Sequence, residues 1–352
     1  MKPDRRKVIR QLSIGAAAAP LALAIPSIFT SCSSSQTQSA NQSKDETTVT
    51  EAGSLFFSIS LAQWSLNKSI FGKSRENITW QEFGKKLMED PDSLYQGSIN
   101  PMDFPVVARQ QFGLDAIELV NTFYFSKAKD TSYLTEFKNK CEGEGVSVQL
   151  IMCDALGNLG DTDAVTRMKA VENHYQWVDA AKFLGCHSIR VNAAGSGTAD
   201  EVKEAAIEGL SKLTEYGQQA GINIIVENHG GYSSDGNWLS YVISSVNNNY
   251  CGTLPDFGNF CMEYGEGGCA KEYDKYKGVE QLMPFAKGVS AKSHGFDAEG
   301  NETRIDYARM LKIVKDAGFK GYIGIEYEGE ELSEVDGIKA TIDLLRKAGS
   351  TV

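Results

Sequence analysis

Eight short runs of β-branched and aromatic residues recur along this chain, each followed by a longer amphipathic stretch, and that rhythm constrains the fold more than any other feature. The runs lie at 55–61, 116–120, 147–152, 188–192, 223–227, 250–256, 288–292 and 322–327. Helical periodicity marks 104–112, 132–144, 164–184, 199–220, 238–246, 280–285, 306–317 and 335–347. Strands alternating with helices at this spacing predict βαβ units, because a parallel crossover needs a dozen or more residues to return to the same edge of the sheet. Gly113, Gly145, Gly185, Gly221 and Gly318 stand where five of the helices should stop, each placed for a left-handed cap before the next strand. Eight such units in about 300 residues point to the α/β class and, within it, to a (β/α)8 TIM barrel. A doubly wound open sheet is the competing topology, but no Gly-x-Gly-x-x-Gly follows an early strand. The polar, turn-rich insert at 67–103 is expected to cover the mouth of the barrel.

The N-terminus reads as an address. Arg5 and Arg6 precede an apolar run from Ile14 to Phe29 that two prolines interrupt, too short to span a bilayer comfortably, as in a signal peptide of twin-arginine type. It ends at Phe29-Thr30-Ser31-Cys32, similar to a lipoprotein cleavage box, so Cys32 is expected to carry a lipid that tethers an exported, periplasmic or cell-envelope protein. An ordinary secretory signal with an incidental Cys32 is the alternative. Residues 1–31 are thus assigned to the signal, 32–52 to a polar flexible tether and 53–352 to the barrel. The net charge of −11 becomes more negative once the basic leader is set aside, which argues against nucleic acid as a partner. Seven cysteines without a Cys-x-x-Cys pair exclude a zinc ribbon; Cys261 and Cys269 could close a loop or remain free thiols.

In such a barrel, chemistry belongs where strands exit into the loops that follow them. Those exits are unusually polar: Glu118 and Asn121, then Cys153 and Asp154, then Arg190 and Asn192, then Glu227 through Gly231, then Asp256 through Asn259, then Lys292 to His294, and finally Glu326 to Glu328. Hard divalent cations take oxygen ligands, and sites working on sugar hydroxyls and carbonyls supply them as carboxylates with a histidine. Glu227, Asp256, His294 and Glu326 come from successive strand ends and are the expected ligand set. A single carboxylate at a strand end is more often a helix cap; three of them with a histidine on four successive strand ends are harder to explain that way. His229 shares the phase of Glu227 and should face the mouth, where Glu118, Arg190, Asn192 and Trp64 are also expected to meet substrate. Arg190 and Asn192 have an equally good structural reading. Phe123, Tyr124 and Trp238 suit either stacking on a sugar or core packing. Lys292 either polarises a carbonyl or forms a buried ion pair with Glu326. His174 and His187 lie away from the exits and receive no role.

Val226-Glu227-Asn228-His229-Gly230-Gly231, Leu254-Pro255-Asp256-Phe257-Gly258-Asn259 and Gly324-Ile325-Glu326-Tyr327-Glu328-Gly329 resemble motifs of the sugar isomerase/epimerase superfamily with a xylose isomerase-like barrel. Phe104 to Arg109 followed by Gly113 to Glu118 is similar to that family's first helix and second strand. The resemblance runs over about 54–348 and implies a Mn²⁺, Mg²⁺ or similar ion held by Glu227, Asp256, a strand-seven residue and Glu326, with Glu227 and Glu326 also moving the proton; Lys292 joins them as a catalytic candidate through its own chemistry. At strand seven the chain departs from the pattern: Ser290 stands two residues before Lys292 where the family commonly has His, leaving Ser290 or His294 for the fourth position. The implied chemistry is proton abstraction next to a carbonyl through an enediolate, on a small sugar or glycoside. The same enolate serves a lyase or hydratase acting on keto-glycosides, and a non-catalytic sugar-binding lipoprotein is a further alternative that intact Glu227 and Glu326 disfavour. A DNA-repair endonuclease on this barrel would need a histidine-rich zinc cluster and a basic groove, against four histidines and an acidic surface. A homo-oligomer is compatible with all of these readings.

Overall fold

The computed structural model describes residues 55–352. The assigned signal, tether and Cys32 anchor lie outside the described residues. Ten strands are present among those described: β1 (Ser58–Ala62), β2 (Ala116–Val120), β3 (Ser147–Met152), β4 (Ser188–Val191), β5 (Asn223–Glu227), β6 (Cys251–Leu254), β7 (Cys261–Gly265), β8 (Gly268–Glu272), β9 (Val289–Ser293) and β10 (Tyr322–Tyr327). All but β7 and β8 belong to one parallel sheet in the order β6-β5-β4-β3-β2-β1-β10-β9. The sheet curls until its two ends meet. Ser290 donates its amide to Pro255 at 2.9 Å and the Phe257 amide donates to Ser290 at 3.0 Å, with parallel bridges from Thr253 to Ala286 and Asp256 to Ser290. The eight-stranded parallel barrel expected from the strand–helix rhythm is therefore the fold.

The helices are α1 (Asn67–Phe71), α2 (Trp80–Glu89), α3 (Phe104–Phe112), α4 (Thr131–Glu144), α5 (Ala164–Leu184), α6 (Ala199–Ala220), α7 (Gly236–Val246), α8 (Lys275–Leu282), α9 (Tyr307–Asp316) and α10 (Glu334–Gly349). The outer ring runs from α3 to α10. Its N-termini are capped by Asp130, Asp163, Thr198, Asp235, Asp274, Asp306 and Ser333, whose side chains accept otherwise unpaired first-turn amides. These caps are not the carboxylates singled out for chemistry. Helices α1 and α2 form the predicted cover over the mouth. Glu334 ties that cover to the barrel by accepting from the amides of Lys68 (2.7 Å) and Ser69 (2.9 Å).

Several boundaries differ from the sequence reading for identifiable reasons. The first strand begins at Ser58 because Leu55 and Phe57 pack instead against Gly349 at the end of α10. The sixth ends at Leu254, since the Asp256 carboxylate accepts the amides of Gly258 and Asn259, each at 2.8 Å, and turns the chain out of the ladder. The expected helix at 280–285 lies earlier: Asp274 caps α8, and Pro284 converts its end to a 3-10 turn. The antiparallel β7–β8 hairpin had no counterpart among the predicted elements. A Cys261–Cys269 disulfide joins its strands, while Cys141, Cys153, Cys186 and Cys251 are free and buried. Closing so short a loop supplies at most ~2–3 kcal/mol. Cys261→Ser with Cys269→Ser is expected to loosen the hairpin and leave the barrel folded, as amide exchange before and after the double substitution will show. Protection lost across the barrel strands would contradict this. No helix among the described residues is long and apolar enough to cross a membrane.

Candidate active site

Side chains alternate along each strand, so every second residue enters the barrel. Low in the barrel that phase supplies Leu150, Ile225 and Leu254, packed around the backbone of Gly288. Above them the interior turns polar. Glu118 accepts from Ser60 Oγ at 2.6 Å and lies where a Cβ on Gly324 would come within 2.5 Å of its Oε2, so glycine is required opposite it. At the upper rim Glu227 ends β5, Glu326 lies in register with Lys292 across β10 and β9, and Asp256 bridges to Ser290. Glu227, Asp256 and Glu326 are buried and bring one oxygen each to within 4.8 Å of the others.

Two cations balance this cluster in part. Arg190 places Nε 2.8 Å from Glu227 Oε2 and Nη1 2.7 Å from Asp154 Oδ1. The Arg190–Glu227 contact is an ion pair rather than an aligned hydrogen bond, and Glu227 Oε1 accepts from Asn259 at 2.8 Å. Lys292 Nζ is 3.3 Å from Glu326, 3.2 Å from Glu328 and 4.0 Å from Asp256. Ser290 Oγ donates to Asp256 Oδ2 at 2.5 Å and lies 3.1 Å from Glu326 Oε2. Gly258 makes room for the lysine stem, because a Cβ there would fall 2.7 Å from Lys292 Cγ.

Burial pushes the Glu326 and Asp256 carboxyls above the usual carboxylate range, against the pull of Lys292. It lifts Glu118 to about 7. At Asp154 burial acts in the same sense, but Arg190, His229 and Asn192 outweigh it and hold the group at about 2. Glu328 behaves likewise: burial is overcome chiefly by Lys292, with His294 acting in the same sense, and its pKa falls. Arg190 and Lys292, flanked by carboxylates, are both held charged. Five carboxylates thus face two fixed cations. Three of them converge, and the neutral Ser290 hydroxyl stands beside two of the three. This donor set fits a hard divalent ion.

The mouth above the triad is a cavity of about 370 Å³. His229, Arg190, Trp64 and Glu326 line it. Asn192 instead donates to Asp154 at 2.9 Å, and Glu118, 1% exposed, lies in the barrel interior away from the cavity wall. Lys292 forms the buried ion pair with Glu326 that was one of its two readings. His294 is not brought into the triad. It lines a neighbouring depression with Gly295, Arg304 and Gly329, because the chain turns outward after Ser293. Phe123, Tyr124 and Trp238 are core residues, the last donating its indole N–H to Ala199. His174 is likewise buried, and burial lowers it to about 4.

Sequence reasoning passed over Asp154, Glu328 and Asn259 as participants, and Trp80 and Phe83 altogether. Glu328 was detectable, two residues beyond Glu326 and in the same strand phase. Trp80 and Phe83 carried no signal beyond helical spacing in the insert.

The chain belongs to the xylose isomerase-like TIM barrel family, whose profile matches residues 107–348. It carries a buried acidic triad at the rim of that barrel. A xylose isomerase-like barrel protein from Mycobacterium smegmatis, crystallised with magnesium, superposes with a TM-score of 0.55 at 15% identity, covering 83% of this chain and 97% of that one. The 3-keto-D-glucoside 4-epimerase of E. coli gives a TM-score of 0.56 at 12% identity, covering 70% and 94%. A stretch of 69 residues is 33% identical to the C-glycoside deglycosidase alpha subunit of Arthrobacter globiformis, spanning 20% of this chain and only 19% of that protein.

Proposed function

We propose that this protein abstracts a proton next to the carbonyl of an oxidised sugar and returns it, as a divalent-metal-dependent isomerase or epimerase. The observation that carries this reading is the convergence of Glu227, Asp256 and Glu326 within 4.8 Å, buried beside Lys292. Those three residues, with Ser290 as the neighbouring neutral oxygen, would hold the ion. When bound, such an ion polarises a carbonyl and an adjacent hydroxyl, which favours the enediolate.

Glu326 is the triad carboxylate that lines the cavity, and burial strengthens it as a base. It takes the proton from the carbon beside the carbonyl. Lys292, held charged, offsets the negative charge that develops. Glu227, across the rim and oriented by Asn259, delivers a proton to the neighbouring carbon or to the opposite face. Arg190, Asp154 and His229 face the sugar hydroxyls. The similarity to a deglycosidase subunit favours a second reading: after the same abstraction, the enolate expels a substituent β to the carbonyl. Export to the cell envelope is part of the proposal, and the Cys261–Cys269 disulfide supports an oxidising compartment.

The test is solvent-deuterium exchange at the carbon next to the carbonyl, using keto-sugars with Mn²⁺. Chelation should abolish exchange and Mn²⁺ should restore it. Asp256→Asn should act mainly through metal affinity, so excess Mn²⁺ recovers a large part of its loss. Exchange that proceeds equally in chelated protein would sink the proposal.

A further inference from the structure

The mouth cavity has two chemically different ends. Its floor is acidic and is fully engaged by the chemistry above. Its outer wall is made by Trp64, Trp80 and Phe83, with Val120 beneath them. Trp80 and Phe83 belong to the insert that precedes the family-matched residues.

Trp64 joins the two ends. It lines the cavity beside Glu326 and Glu328 of the floor, while its ring lies 6.3 Å from that of Trp80 at an interplanar angle of 23°. Trp80 is 63% exposed, whereas Phe71 and Phe123 of the same aromatic cluster are wholly buried. The exposed indole is nevertheless held in place. It opens α2 immediately after Thr79, which forms a reciprocal capping box with Glu82. The Arg75 guanidinium sits 4.0 Å from the ring centroid, and Phe83 meets the ring edge-on at 5.8 Å. A large aromatic surface that is rigid and still open to water adds nothing to the core and loses little entropy on binding a flat partner. A pyranose can set only its C–H face against such a wall, whereas an arene matches an indole over its whole flat surface.

We propose that Trp64, Trp80 and Phe83 form a subsite for the aglycone of an aryl glycoside, so that the natural substrate is an aryl keto-glycoside with its sugar over the acidic floor and its arene stacked on Trp80. This assignment rests on the proton-abstraction reading for the location of the sugar. The aromatic wall itself is independent of that chemistry.

The experiment is calorimetry on the full chain with Mn²⁺, using three unoxidised ligands that have no carbonyl to react: methyl β-D-glucoside, p-nitrophenyl β-D-glucoside and cellobiose. The aryl glycoside should bind about tenfold more tightly than either of the others. Trp80→Ala should remove most of that preference and Trp80→Phe should keep most of it. If Trp80→Ala does not fold, quenching of the wild-type indole emission by the aryl ligand, and not by the methyl one, carries the same test. Equal affinity for all three ligands, cellobiose matching the aryl glycoside, or a preference unchanged in folded Trp80→Ala would each overturn the proposal. The two readings fail separately. Aryl preference without solvent exchange on any keto-sugar supports the subsite and refutes the proton abstraction; exchange without aryl preference does the reverse.

Discussion

Glu326→Gln is expected to lower solvent exchange at the substrate carbon by more than ~10³-fold, beyond much of the range for loss of a general base alone, because the same oxygen pair is also a metal-ligand candidate. The protein should become more stable, not less. Glu326 is pushed up to about 8 from an ordinary value near 4.5 by burial, so its folded-state pKa lies above its unfolded one. For such a group the stabilising protonated form is fully present below the unfolded value and is lost as pH rises through the folded value. Metal-free wild-type protein should therefore lose stability between about pH 4.5 and 8, while Glu326→Gln shows a flatter profile. Denaturant midpoints measured across that range with chelator present will test the sign. A variant that is both inactive and less stable at about pH 8 would mean that Glu326 is a structural ion-pair partner rather than a strained catalytic carboxylate.

Lys292→Met should have the largest effect on stability. Lys292 is 1% exposed and its ammonium lies within 4.0 Å of oxygens from Glu326, Glu328 and Asp256. Removing one partner of a buried charged set strands the others, at a cost of about 3–5 kcal/mol. The side chains are similar in length, and the space above Gly258 accepts the new one, so the loss is electrostatic and not steric. It should shrink toward acidic pH, where Asp256 and Glu326 take up protons, and shrink again with saturating Mn²⁺. A loss below about 1 kcal/mol at about pH 8 without metal, or one indifferent to both treatments, would remove Lys292 as the resident counter-charge of the site.

The linear pattern was enough to reach the barrel. Strand-length runs at βα spacing admit few topologies, and the glycine stops after α4 and α5 adopt the left-handed caps their positions implied. It also pointed to Glu227, Asp256 and Glu326, because strand ends of a barrel share one rim whatever the intervening loops do. Ser290 and His294 show where that reasoning ends. Both flank Lys292 at a spacing of two, so strand phase treats them alike. Ser290 remains in the ladder against Asp256, however, while the chain leaves the barrel after Ser293 and carries His294 into another cavity.

Glu118 and Arg190 make the same point from the barrel interior. Each reads as a polar residue at a strand end, but Glu118 sits one layer too low, sealed beneath the site opposite Gly324, and Arg190 divides its guanidinium between Asp154 and Glu227 from neighbouring strands. Depth in a barrel depends on the stagger between strands, which no single strand encodes. The aromatic wall lay furthest from prediction, since Trp80 meets Trp64 only after the insert folds back over the mouth. Order, periodicity and strand-end chemistry are local properties and are written in the chain; which carboxylates share a cation, which histidine is turned away and which indoles line the mouth depend on distances between remote segments, and those exist only once the barrel has closed.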